Sequence, residues 1–152
     1  MSRKPLKRHE GLQPLSREHH QGLIIALNVH KGVQKAVEFH RMVKYIRFQF
    51  EELLQPHFQF EEEKVFPLLP QSDELRQQAE QQHLKIKSIV AQLKSNDDCG
   101  LFADLLRDHI RFEERELFEA IQAITDMEHL NALIGQWEEN VTCVNWEDPF
   151  WK

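Results

Sequence analysis

Residues 57–66 read H-F-Q-F-E-E-E-K-V-F, and residues 109–118 read H-I-R-F-E-E-R-E-L-F. Each copy sets a Phe three residues after a His, Glu at four and five, an aliphatic residue at eight and a second Phe at nine. Residues four apart on a helix stack one turn apart on the same face. His57 and Glu61 therefore share a face, as do His109 and Glu113, with Phe60, Val65, Leu68 and Phe112, Leu117, Ile121 on or beside those faces. One His with a Glu four residues on is expected by chance in a chain holding nine His and 25 acidic residues. Two copies that agree at the other positions as well are not. Imidazole and carboxylate presented twice on apolar helix faces is what a two-metal site inside a helical bundle requires.

Outward from this pair, the chain reads as helix throughout. Ser16 is a candidate N-cap opening a first helix to about Val29 or His30, with the stripe Leu15, His19, Leu23, Ala26. Gly32 marks a break. A second helical pattern spans Val33–Leu69, too long for one undistorted helix. Pro56 cannot donate to the carbonyl of Glu52, so the helix bends or opens just before His57. Pro67 and Pro70 end it. Asp73 caps a third helix to about Lys94, carrying Leu75, Ala79, His83, Ile86 and Val90. Residues 95–100 read as a turn, Leu101–Ile124 as a fourth helix and Met127–Trp137 as a shorter fifth. The expected fold is all-α: an antiparallel up-down four-helix bundle over residues 15–125. An irregular arm (1–14) precedes it, and a C-terminal helix and aromatic tail (126–152) pack on it.

Composition agrees with one soluble domain. At 152 residues the chain can bury a substantial core. Its 41% hydrophobic and 29% charged residues are ordinary for a globular protein. A net charge of −6 with no basic face argues against a nucleic-acid partner. Cys99 and Cys143 are too few and too scattered for a disulfide framework or a thiolate metal site. No apolar leader and no apolar run near ~20 residues is present, so a reducing cytoplasm and no membrane partner are expected. Nothing in the sequence bears on oligomeric state.

Each bundle helix then supplies a ligand group: His19, with His20 as the alternative, from the first; His57 and Glu61 from the second; His83 from the third; His109 and Glu113 from the fourth. His19 is favoured because Leu15 and Leu23 bracket it, whereas His20 lies with Ile24 and Leu27. Glu62, Glu63, Glu114 and Glu116 read as solvated faces, and His9, His30, His40 and His129 as surface or supporting residues. Six N/O ligands suit a pair of iron ions better than one zinc, which prefers four; manganese and zinc are the alternatives. The two Glu can bridge the pair, with an oxo or hydroxo group completing the charge balance.

At these residues the chain resembles the hemerythrin-like (HHE cation-binding) family. The resemblance covers about residues 12–125, with L-S-R-E-H-H-Q-G-L at 15–23 and P-H-F-Q-F-E-E-E-K-V-F-P-L-L at 56–69 similar to bacterial members. It implies a non-haem diiron centre that binds or senses O2, NO or peroxide, or that holds iron. Alternatives are a diiron oxidoreductase, peroxidase- or oxidase-like, and a metal-free helical interaction module. Two positions depart from the oxygen-carrying members. Lys87 stands where they have a second His after the third-helix ligand, and Glu114 where they have an Asp five residues after the last His.

Overall fold

The computed structural model describes residues 8, 10–137 and 146–152, and among them the chain is helical with no strand. A 3-10 turn, Glu10–Leu12, leads into α1, Gln13–Gln34. This helix opens three residues before Ser16 because Pro14 occupies its first turn, where a missing N–H costs nothing. The start also carries Leu12 and Leu15 into the interior, both fully buried. Helix α1 runs on past Gly32 and breaks at residues 35–38, where Ala36 takes a positive φ of 53°. Gly32 is instead a packing residue: a Cβ there would come within 2.7 Å of both Met42 Sδ and Phe150 Cε1.

The second helical segment is α2 (Phe39–Gln49), a π turn (Phe50–Leu54), α3 (Gln55–Phe60), a second π turn (Glu61–Val65) and a 3-10 turn (Phe66–Leu68). The opening expected at Pro56 is thus the π turn just before it. There the Phe50 carbonyl accepts from the Gln55 N–H, five residues on, as the helix widens ahead of the proline. Asp73 caps α4 (Glu74–Ala91), its side chain accepting from the Arg76 N–H. Ser95 caps α5 (Asn96–Phe112), so residues 96–100 are helix rather than turn; Asp97 and Asp98 favour the positive helix N-terminus. A third π turn (Glu113–Leu117) joins α5 to α6 (Phe118–Ile124). Asp126 caps α7 (Met127–Ile134).

Helices α1 and α5 lie side by side. Ser16 bonds Glu114, Gly22 faces Ile110, and His30 bonds Asp104. A side chain at Gly22 would meet Ile110 Cδ1 at 2.6 Å, so the glycine permits this close approach. The C-terminal residues Trp146, Phe150 and Trp151 surround Tyr45, and Arg41 forms a two-pronged pair with Asp148.

The buried apolar residues form two separate clusters. One, built on Ile46, Phe58, Ile86, Phe102 and Leu106, includes Cys99, whose thiol burial pushes up to about 11. The other is built on Leu12, Leu15, Phe66, Leu117, Phe118 and Ile121. Seven buried polar side chains lie together: Glu18, His19, His57, Glu61, His83, His109 and Glu113. An eighth, Asn28, is satisfied separately by Tyr45. Burying one large apolar side chain contributes about 1.5–3 kcal/mol. The two clusters thus offset a polar layer whose burial is costly unless its groups are partnered.

Candidate metal centre

The repeated motif places its groups through local geometry. His57 on α3 and Glu61, first residue of the second π turn, approach within 3.3 Å; His109 on α5 and Glu113, first residue of the third, repeat this spacing. α1 brings in His19 and α4 brings in His83. His20 is exposed, on the side of Ile24 and Leu27, which are 44% and 51% exposed. His19 is therefore the first-helix residue that enters the cluster. His30 bonds Asp104 near the surface, His40 and His129 are exposed, and His9 and Cys143 fall outside the described residues.

The six side chains form two sets that share their carboxylates: His19, His57, Glu61, Glu113 and Glu61, His83, His109, Glu113. Within each set one donor atom per residue lies within 4.8 Å of the others. Glu61 reaches one way to His57 and His19 (3.3 and 3.7 Å) and the other way to His83 (3.2 Å). Glu113 reaches His19 at 2.8 Å and His109 at 3.3 Å, with His83 at 4.0 Å. The imidazoles face each other in pairs, His57 Nε2 3.1 Å from His19 Nε2 and His83 Nε2 3.0 Å from His109 Nε2.

These contacts are close but not satisfied. None of the four oxygens of Glu61 and Glu113 receives an aligned hydrogen bond, although both residues are 0% exposed. Among the imidazole nitrogens, His19 Nδ1 is likewise buried without an aligned hydrogen bond. A buried set of carboxylates and imidazoles aimed at common points, with their own bonding incomplete, fits a bound cation.

The electrostatics point the same way. Burial pushes the His57 imidazolium down, but Glu61 and Glu18 outweigh it and raise the group to about 9. At His19 burial is outweighed by Glu113, Glu114 and Glu61, and at His83 by Glu61 and Glu62, so both stay raised. At His109 burial prevails and the group is lowered. Burial pushes Glu61 up, yet His57, His19 and His83 hold it well below the ordinary carboxylate range.

A second set of contacts orients the imidazoles from outside. His57 Nδ1 is 2.8 Å from Glu18, His109 Nδ1 2.6 Å from Gln82 and His83 Nδ1 3.0 Å from Glu62, while His19 Nδ1 lies 3.8 Å from Glu114. Glu62 is paired with Lys87, and Glu114 accepts from Ser16 and pairs with Arg8. Glu62 and Glu114 are therefore not solvated faces. Each follows the first residue of a π turn, and the wider turn keeps it beside the cluster. The sequence signal for the other pair was a carboxyl or amide residue directly before the His of the first and third helices: Glu18-His19 and Gln82-His83. The Phe nine residues into each motif copy packs on the His of another helix, Phe118 on His19 and Phe66 on His83.

Residues 13–121 match the hemerythrin HHE cation binding domain. The chain belongs to that family. Comparison with curated proteins and with solved structures finds no match. The match to the hemerythrin domain contains all six clustered side chains and ends before α7. Beyond the matched residues, one side chain touches the cluster: Trp137 Nε1 donates to Glu18 at 3.1 Å, with its ring 4.7 Å from that of Phe60. Among the described residues of this chain no helix is long and apolar enough to cross a membrane.

Proposed function

We propose that this hemerythrin-family chain holds two iron ions, one between His19 and His57 and one between His83 and His109, with Glu61 and Glu113 shared by both. The observation that carries the reading is the sharing itself: two buried carboxylates, each within reach of imidazoles from both pairs. The donor set supports iron over zinc: six N/O side chains are more than the four that one zinc prefers. The frame proposed for the site is the antiparallel up-down four-helix bundle. It is supported by the contacts of α1 with α5 and the π turn that follows it, which step backward along the chain from Glu114 to Asp104 as α1 advances from Ser16 to His30.

When bound, the iron pair would supply a redox-active centre for a small ligand: O2, NO or peroxide. The chain's own residues would bind it, keep bulk water away and fix the imidazole orientations. A small pocket of about 10 Å3 beside His19 and His57, walled by Leu53, Leu54, Phe58, Leu106 and Ile110, supports a small ligand. It has room for about one water-sized molecule. The proposed role is that of a binding or sensing protein, or an iron holder, in the cytoplasm.

The decisive experiment is metal content with an optical spectrum on protein purified without chelator, before and after exposure to O2. About two iron ions per chain are expected, as a shared-carboxylate pair requires. Stoichiometric four-coordinate zinc, or no bound metal, would refute the reading.

A further inference from the structure

The two halves of the cluster share one plan but differ in the partners behind their imidazoles. Both have two imidazoles facing each other, both share Glu61 and Glu113, and both have an outer carboxylate beside a cation: Glu62 with Lys87, Glu114 with Arg8. Glu62 stands 3.0 Å from His83 Nδ1 and Glu114 3.8 Å from His19 Nδ1, and both are partly exposed and paired with a cation, so the contrast in charge lies behind His57 and His109. His57 Nδ1 meets a carboxylate, Glu18, whereas His109 Nδ1 meets an amide oxygen, Gln82. Glu18 is 2% exposed, while Gln82 is partly open to solvent.

A carboxylate accepting from the far nitrogen of a ligating imidazole fixes its tautomer and strengthens it as a donor more than a neutral amide does. Glu18 also adds a full negative charge close to one cation position, in a buried setting where solvent screens it least. Its geometry is held from beyond the matched residues, because Trp137 donates to the same oxygen, Oε1, that faces His57. Trp137 is placed by α7 and by packing on Phe60.

We infer that the two metal positions are inequivalent: the His19–His57 position binds its ion more tightly than the His83–His109 position, with Glu18 as the positioning residue that makes the difference and Trp137 as its anchor. This rests on the two-metal reading above. It ties the C-terminal residues to one half of the centre only, so loss of those residues would loosen one ion and leave the other.

The test is anaerobic titration of metal-free protein with Co2+, read by the visible absorption of the bound ion and by tryptophan emission. Two resolved steps are expected, separated by about 10–100-fold in affinity, the size of effect typical of such outer partners. The tryptophan response should accompany the first step and vanish in Trp137→Phe, which also weakens that step alone. Glu18→Gln should bring the first step toward the second. Gln82→Glu should bring the second toward the first, an increase in affinity that no folding defect can imitate. Two equal sites in the unaltered protein, or an unchanged gap in both Glu18→Gln and Gln82→Glu, would overturn the inference while leaving the two-metal reading intact. Absence of any Co2+ binding would instead refute that reading, and the inference with it.

Discussion

Phe58 lies flat on His83, their ring centroids 3.9 Å apart and their planes 13° from parallel. The same ring meets His109 edge-on at 5.4 Å. A side chain next to His57 on one helix therefore fixes the imidazoles of two others. Phe58 is 1% exposed. Phe58→Ala is expected to cost about 3–5 kcal/mol of stability, by lost burial and the cavity left behind. Urea unfolding of the metal-free variant measures this; a loss below about 1 kcal/mol would show that the plate is dispensable.

The shared and outer carboxylates should separate in metal retention. On the proposed two-metal reading, Glu61→Ala or Glu113→Ala removes a ligand shared by both positions, and less than half of the bound metal should survive gel filtration. Glu62→Ala or Glu114→Ala removes only an outer contact, for which about a 10–100-fold fall in affinity is typical. Equal retention in all four variants, measured by elemental analysis, would refute the assignment of the shared pair.

Stability should respond to pH in opposite directions with and without metal. In metal-free protein His57 is raised to about 9 against an ordinary value of 6.5. A base raised on folding contributes stability that is complete below about pH 6.5 and is lost as pH climbs through about 9. His19 and His83 act in the same sense, and the lowered His109 in the opposite one. The depressed Glu61 contributes above its ordinary value of 4.5 and fails only in stronger acid. The urea midpoint of chelator-stripped protein should thus fall between pH 6.5 and 9. The loaded protein should weaken toward acid, where protons compete for the imidazoles. Parallel profiles for the two forms would contradict this.

Lys87 should matter for O2 chemistry. Its ammonium is taken up by both oxygens of Glu62, at 3.0 and 3.2 Å, and it adds no donor to the cluster. On the proposed two-iron reading, the position beside His83 then lacks the further imidazole that the resemblance to oxygen-carrying members would imply there. Reduced, iron-loaded protein is expected to be oxidised by O2 in a single turnover that evacuation does not reverse. Full spectral recovery under vacuum over several cycles would show reversible carriage instead.

What was legible in the sequence was what four-residue spacing decides. His57 with Glu61 and His109 with Glu113 follow from local helix geometry, and His83 from its place on an apolar stripe. The choice of His19 over His20 followed from the company of Leu15 against that of Ile24. Glu62 and Glu114 were misplaced because a uniform 3.6-residue period turns their positions outward; an inserted residue at a π turn leaves no mark on the apolar pattern. The start of α5 was missed because Ser95 through Asp98 carry turn chemistry and capping chemistry alike. The bond between Glu18 and Trp137 spans 119 residues. No local rule reaches so far.

The division of the interior by a charged layer has a consequence for how this protein comes apart. Leu106 and Phe102 belong to one apolar cluster, Leu117 and Phe118 to the other, and the same fourth helical segment threads both through His109 and Glu113. Cooperative melting requires the halves to sense each other across that layer. With cations bridging the ligands, amide hydrogens at both ends should exchange together, in one global opening. Stripped of them, the ends should exchange as two blocks with separate protection, so a bound cation would set not only how firmly the helices hold together but how many pieces they unfold as.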